Sequence, residues 1–595
     1  MTTPLDRRSR AHGASDHETG TLVIPEAQGR IPATPLSEVD AAISTLVERA
    51  PAWSATSVRA RIELLDDLLA STLAAAPGWT LTAAEAKGLA SDSPTMGEDW
   101  ISGPVSVLNG LRALRDTLEQ IEQTGRPQPP AIEVAESGQV RVTVAPASFA
   151  DRVLLPGVSA EVRLQNHVSL EEAEASMGRI YRPGGKPEPS VALVLGAGNV
   201  SSIAPLDALT QLFQYDRVVL LKMNPVNEVL GPHMAEALEP LISRGFLRIV
   251  YGGADVGQHV VDHPEIAAVH LTGSDKTHDA IVFGTGEEGA RRKAEATPRI
   301  DKEVTAELGN VTPIIVVPGP WSDKDLKMRG RHIAAMLTNN AGFNCIAARV
   351  IVQHRAWNRR RALLDAVRDE LRAAEPRHPY YPGARDRWQK FVDSYGQSET
   401  FGPNGEEQVP FTLIPEIDPV EDDDLALTTE AFCGVMGEVA LDAPRSVADY
   451  VDEAVDFCNQ QLWGTLAATI LVHPASLRDP LVEEAVERAI DRLEYGAVVV
   501  NEWAALAYGL PTATWGAYPG SPPQDIQSGR GVVHNAFLLE DAEKTVGRAP
   551  WRPMATPVWY SDHRTLPQLA PLAARFLATG DLKVLPKMLA LGARG

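Results

Sequence analysis

Residues 191–198 spell VALVLGAG, and no other stretch of the chain decides the fold as directly. Five apolar residues without a polar interruption, ended by a glycine turn, suit a strand buried on both faces rather than one face of a surface sheet. The pattern then returns after helix-like intervals: VVLLKMNP at 218–225, LRIVYGG at 247–253 and AAVHLTG at 267–273. Strand and helix in strict alternation predict a parallel sheet covered by helices on both faces, with functional residues just beyond the carboxyl ends of the strands.

Downstream, TPIIVVPGP at 312–320, RVIVQH at 349–354, GEVAL at 437–441, LAATILVHP at 466–474 and GAVVVNEW at 496–503 predict a second α/β unit, with the boundary near Gly309. Upstream, VDAAISTLVERAPAW at 39–53 and SVRARIELLDDLLASTLAAA at 57–76 carry apolar residues at three- and four-residue spacing, a helical lead-in. Residues 140–164 alternate like a hairpin. The polar first 20 residues predict a disordered tail, and 565–595, apolar on one side, predict helices docked on the body.

A chain of 595 residues is several times longer than one compact core, which predicts two or three domains. The balance of 55 Lys+Arg against 78 Asp+Glu gives a net charge of -23, which argues against nucleic acid and anionic lipid as partners. No run reaches the roughly 18 apolar residues of a membrane-spanning helix. Three cysteines, Cys345, Cys433 and Cys458, lie far apart without ligand spacing, so neither a disulfide framework nor a metal site is expected, and a reducing cytoplasm suits them. The acidic run 416–424 is expected to be a solvated loop. A small-molecule substrate is the default.

Several segments, in one order, carry a resemblance: AGNVSS at 197–202, LLKMNP at 220–225, GGADVGQHVVDHPEIAAVHLTGS at 252–274, ELGN at 307–310, NNAGFNCIAARV at 339–350, EAFCGV at 430–435 and NEW at 501–503. Over roughly residues 160–540 the chain resembles the aldehyde dehydrogenase superfamily. The resemblance implies an NAD(P)-binding domain over 21–308, with an oligomerisation hairpin near 140–165, and a catalytic domain over 309–505. It implies a return to the cofactor and oligomerisation region over 506–540 and a C-terminal extension over 541–595. It also implies NAD or NADP as cofactor, an aldehyde as substrate, and a homodimer or homotetramer.

The same resemblance assigns Cys345 as nucleophile, Asn199 with the Cys345 backbone N–H as oxyanion donors, and Glu307 as base for the water that hydrolyses the thioester. It places Lys222, Gly253, Gly257, Thr272, Gly273 and Ser274 on the cofactor, with Glu430 and Phe432 holding its nicotinamide half. Without it, Lys222 would be a surface residue, Phe432 a core residue and each cysteine a small buried hydrophobe. Trp503, Tyr508 and Trp515 are candidates for an aromatic substrate tunnel or for plain core.

Departures mark a divergent member. Phe343 stands where the family has Gln, Asn310 where it has Gly, and Cys433-Gly434 where it has Gly-Pro. Pro225 stands where NAD-preferring members carry a ribose-binding Glu, which leaves NADP open. Two alternatives follow: a coenzyme-A-acylating or acyl-reducing relative, against which Glu307 counts, and a catalytically silent homologue retained for binding.

Overall fold

The structure, a computed structural model, describes residues 19–90, 93–405, 407–420, 424–442 and 446–595. Most of the expected tail lies outside these residues, but its end does not. Gly20 and Thr21 form a two-residue strand, β1 (Gly20–Thr21). Of the acidic run 416–424, expected as a solvated loop, residues 421–423 lie outside the described residues, while Glu416 lies within a strand and the buried Asp424 caps a helical turn, so its two ends are not solvated loop.

Helices α1 (Leu36–Ser54), α2 (Val58–Ala86) and α3 (Ser106–Thr124) form the lead-in. In α1 the buried residues Val39, Ile43, Leu46, Ala50 and Trp53 recur every three or four positions, the stripe that sets the helix against the first sheet. Strands β2 (Ala131–Val134), β3 (Val140–Ala145) and β4 (Ser159–Leu164) then pair antiparallel.

Strands β5 (Val191–Leu195), β6 (Val218–Lys222), β7 (Leu247–Val250), β8 (Ile266–Thr272) and β9 (Glu303–Glu307) make a parallel sheet in the order β9-β8-β5-β6-β7. The chain leaves β5 in one direction and returns through β8 on the other side, so the order reverses between these two strands. Their carboxyl ends, Gly196–Asn199 and Gly273–Ser274, therefore splay apart and open a crevice. Three helices border the functional region: α4 (Ile203–Phe213) follows β5, α5 (Ala254–Asp262) follows β7 and α6 (Asp275–Val282) follows β8.

The chain passes into the second sheet between Glu307 and Thr312. That sheet contains β10 (Thr312–Val316), β11 (Ala348–His354), β12 (Glu399–Phe401), β13 (Phe411–Ile417), β15 (Val435–Leu441), β16 (Ala467–Leu471) and β17 (Ala497–Val500). The short β14 (Thr429–Glu430) leaves the sheet to pair with β1, and β18 (Thr514–Gly516) pairs with β20 (Val532–His534). Strand β19 (Gly529–Arg530) crosses back to β9 of the first sheet.

The segment 541–595, expected as an extension, begins with a strand, β21 (Ala542–Arg548), which lies between β17 and β4. It welds the hairpin β2–β4 onto the large sheet, giving eleven strands. Its alternating composition, AEKTVGR, hides it: Lys544 and Glu543 are buried in an otherwise polar-looking run. Beyond it a connector leads to α8 (Leu566–Thr579), whose buried Leu566, Ala570, Ala574 and Leu577 join the core of the lead-in helices. The docking expected of this segment is what the structure has.

Candidate active site

Cys345 follows helix α7 (Asp323–Thr338) and opens onto β11, which anchors it in the second sheet. The turn before it is wound unusually tightly. Asn340, Ala341 and Gly342 all have positive φ, 50°, 56° and 81°, and a Cβ on Gly342 would lie 2.7 Å from the Cys433 carbonyl carbon. Left-handed conformations in two non-glycine residues cost free energy and persist only where surroundings over-determine them. Here they are held by a knot of amides: Asn340 Nδ2 donates to the Asn199 and Phe343 carbonyls, and Asn344 Nδ2 to the Asn339 carbonyl.

Glu307 ends β9 in the first sheet, so the seam between the two sheets brings the thiol and the carboxylate together. Cys345 Sγ donates to Glu307 Oε1 at 3.4 Å. Asn199, just past β5, donates from Nδ2 to the Phe343 carbonyl at 3.0 Å. All three residues assigned to the chemistry are thus gathered at one point, from β5, β9 and the loop before β11.

Burial governs the electrostatics. Glu307 is 3% exposed, and burial together with the nearby Asp207 charge raises its carboxyl to about 7, against the pull of Cys345, Trp515 and His270. Burial first, and then Glu307 and Glu430, hold the Cys345 thiol well above its ordinary value; its own backbone N–H and the Arg349 guanidinium act the other way. The thiol is therefore protonated at neutral pH in this state, with a half-ionised carboxylate as its hydrogen-bond partner.

Behind Glu307 lies a polar pair that the sequence reading missed. His270 and Thr272 on β8 face Thr305 and Glu307 on β9 across the ladder. Asp207, from α4, accepts from Thr272 Oγ1 at 2.8 Å and lies 3.4 Å from His270 Nε2, while His270 Nδ1 meets Thr305 Oγ1 at 2.9 Å. A lone Asp in the apolar helix IAPLDALTQLF and a His inside a buried strand were the available signals. A buried charge needs partners, and these residues provide them.

Around the sulfur the walls are aromatic. Trp503 donates from Nε1 to the Ile346 carbonyl at 2.7 Å and packs against Trp559 at 5.0 Å. Tyr508 lies against Trp515 and hydrogen-bonds Ser202 at 2.8 Å. Trp503 and Trp515 are core residues, with Tyr508 packed against the same apolar cluster that Cys345 borders. Trp559 comes from the connector after β21, fixed by Asn339 Nδ2 donating to its carbonyl at 2.8 Å. Phe343 is buried with Tyr380, Tyr381 and Phe432, an aromatic set where the family's Gln would be polar.

The residues assigned to the cofactor border the crevice. Lys222 ends β6, 8% exposed; burial lowers its ammonium, while Glu26, Glu228 and Asp255 act to raise it, and no side-chain hydrogen bond holds it among the described residues. Gly253 precedes α5, and Gly257 in that helix would carry a Cβ into contact only with Lys222 Cε, at 4.0 Å. Glu430 is buried and raised to about 7 by burial, which outweighs Arg349 and the Asn310 N–H. Phe432 holds a positive φ of 43°. The orphaned oxygens Glu430 Oε1 and Glu228 Oε2, with the unpaired Lys222, fit a ligand rich in hydroxyls and phosphate.

Three assigned residues face elsewhere in this state. The Thr272 hydroxyl is committed to Asp207, Ser274 caps α6 by accepting from Thr277 N–H, and Gly273 N–H donates to the Glu307 carbonyl. Asn310, in the family's Gly position, is fully buried and donates to Thr312 Oγ1 and the Ala467 carbonyl, so the substitution pins the crossing between sheets. Cys433 and Cys458 are buried free thiols. No group of three metal-ligating side chains occurs, and no helix is long and apolar enough to cross a membrane, among the described residues.

Known proteins resemble this chain in part of its sequence and in its fold. Residues 193–384 match the model of the aldehyde dehydrogenase family. A Staphylococcus haemolyticus protein, itself classed only by likeness as an aldehyde dehydrogenase, is 23% identical over 53% of this chain, and the chain spans 62% of that relative's length. Among solved structures, the glyceraldehyde-3-phosphate dehydrogenase GapN of Methanocaldococcus jannaschii, complexed with NADP, superposes with a TM-score of 0.59 at 14% identity, covering 90% of this chain and 100% of that one. An NAD-dependent aldehyde dehydrogenase of Sinorhizobium meliloti gives 0.57 at 18% identity, covering 91% and 93%. The fold is that of the aldehyde dehydrogenases. The likeness in sequence is confined to part of the chain, and over the rest it is a likeness of fold.

Proposed function

We propose that this protein oxidises an aldehyde to a carboxylic acid, with NAD or NADP as hydride acceptor and Cys345 as nucleophile. One observation carries the reading: the 3.4 Å contact between Cys345 Sγ and Glu307 Oε1 at the seam of the two sheets. Glu307, whose Oε1 accepts from the thiol, is the group that takes its proton. The thiolate then adds to the aldehyde carbonyl, and the resulting oxyanion accepts from the Cys345 backbone N–H and from Asn199 Nδ2, which turns from the Phe343 carbonyl. A bound nicotinamide supplies the acceptor for the hydride that leaves the adduct as the thioester forms. Glu307, once relieved of its proton, takes another from water; hydroxide adds to the thioester, and the Cys345 thiolate leaves with release of the acid.

Lys222, Gly253, Gly257 and Glu430 are the residues that hold the dinucleotide, with Phe432 against the nicotinamide face. The aromatic walls favour an apolar or aromatic aldehyde. The buried, near-neutral-pKa Glu307 favours water over coenzyme A as acyl acceptor. Hairpin β2–β4 presents the open edge of β2 and the half-exposed Val134, a surface for pairing subunits into a homodimer or homotetramer. Three free thiols suit the cytoplasm.

The test follows absorbance of reduced nicotinamide with purified protein, NAD or NADP, and a panel of short, long and aromatic aldehydes. Reduction that disappears in Cys345→Ala, with free acid as product, is the expected result. Reduction only with coenzyme A present moves the protein to the acylating class, and unchanged turnover in Cys345→Ala removes the thiol from the mechanism.

A further inference from the structure

The segment before α1 does not skirt the crevice; it lies in it. At one end Thr21 N–H donates to Asp275 Oδ1 at 3.1 Å, at the start of α6, and Lys276 Nζ donates to the Thr19 carbonyl at 3.2 Å. The backbone there pairs as β1 with β14, Thr21 beside Glu430. Leu22 is buried in the cluster that contains Phe343 and Tyr381, and Ile24 packs against the same cluster.

At the other end Glu26 Oε1 accepts from the Ala254 N–H at 2.8 Å, at the N-terminus of α5. Ile31 N–H donates to Glu228 Oε1 at 2.7 Å, joined there by the Arg30 N–H. The segment ends on β7, where Thr34 and Tyr251 exchange hydrogen bonds. Residues 19–31 thus touch Glu430 and the start of α5 after Gly253, both assigned above to the dinucleotide, and reach Asp275 beside Ser274 and Glu228 near Lys222. A carboxylate on the first amide of a helix stands where an anionic ligand group binds.

We propose that residues 19–31 are an intrinsic occupant of the dinucleotide crevice, so that NAD or NADP enters only as this strap leaves. The inference rests on the crevice being the cofactor site. The strap is deep at one end, where Thr21 and Leu22 are 3% and 7% exposed, and shallow at the other, where Glu26 and Gly29 are exposed. Release therefore starts at Glu26 and finishes at Leu22. Apparent cofactor affinity is the intrinsic affinity multiplied by the fraction of molecules with the strap out.

Hydrogen–deuterium exchange on the full chain, with and without NAD and NADP in turn, tests the exclusion. The amides of Thr21, Arg30 and Ile31 are expected to lose protection when either dinucleotide binds. Calorimetric titration of Glu26→Ala and of Thr21→Ala, both changed on the strap and not on the crevice wall, is expected to give affinity tighter by about tenfold, the change that a strap held by about 1.4 kcal/mol imposes. Binding with those amides still protected, or affinity in both variants no tighter than that of the unsubstituted protein, overturns the strap. No binding to any form overturns the dinucleotide reading itself and, with it, the inference.

Discussion

The reacting centre and the dinucleotide crevice are closed in different ways. At the centre, Cys345, Glu307 and Asn199 are held by two sheets, a strained turn pinned by amides, a buried polar pair and an apolar cluster. At the crevice a short segment pairs with Glu430 and brings the Glu26 charge toward Lys222, making a few hydrogen bonds and burying one leucine. Core packing is lost only with the fold, whereas a strap is lost by local opening. The first region is built to keep its geometry and the second to change its occupant.

The largest effect that sharpens this contrast is at Glu307. Glu307→Gln removes the acceptor of the thiol proton while keeping the shape, and a positioned general base contributes about 10²–10⁴-fold. We expect kcat to fall by that range, and the rise of activity through pH near 7 to vanish from the pH–rate profile; a variant that keeps this limb shows that another group sets it. Dinucleotide affinity, measured by titration, is expected to change less than threefold, on the order of 0.6 kcal/mol.

A pair of glycines breaks the comparison more directly. Gly342→Ala puts a methyl group 2.7 Å from the Cys433 carbonyl carbon in a left-handed backbone, and we expect a loss of stability of about 1–3 kcal/mol, seen as a lower denaturant midpoint. Gly257→Ala meets nothing closer than 4.0 Å in a helix interior, where alanine is favoured by up to about 1 kcal/mol. Its stability should hold or rise while dinucleotide affinity falls. Equal destabilisation by both would mean that the crevice is packed like the core.

Both sheets were legible because buried parallel strands leave unbroken apolar runs, as in VALVLGAG and TPIIVVPGP. Strand β21 was not, because Glu543 and Lys544 are buried in it with partners that no local pattern reveals: Lys544 Nζ donates to the Leu493 carbonyl at 2.7 Å, 51 residues away. Cys345, Glu307 and Asn199 were legible only through motif order. Spacing alone cannot show that residues 199, 307 and 345 meet. The strap was invisible for a further reason: TGTLVIPEAQGRI carries no helical or strand periodicity, and what holds it is a crevice formed by residues more than 190 positions away.

The smallest effect tests whether the centre is tuned from behind. Asp207 carries its charge into the same buried space as Glu307, where it raises the Glu307 carboxyl, while His270 beside both opposes it. Tyr508 and His534 also face this space and feel Asp207, and burial lowers His534 to about 4, so it is neutral near pH 7 and supplies no countercharge. Asp207→Asn keeps the acceptor for Thr272 Oγ1 and removes the charge. A carboxyl raised by a neighbouring negative charge relaxes downward when that charge goes, so Glu307 ionises at lower pH and the acid limb of activity moves the same way, with little change in the plateau. His270, deprived of the acid that raises it, also loses its proton at lower pH. The net movement of the limb therefore measures which neighbour dominates. A shift to lower pH makes Asp207 the tuning charge, and a shift to higher pH gives that role to His270.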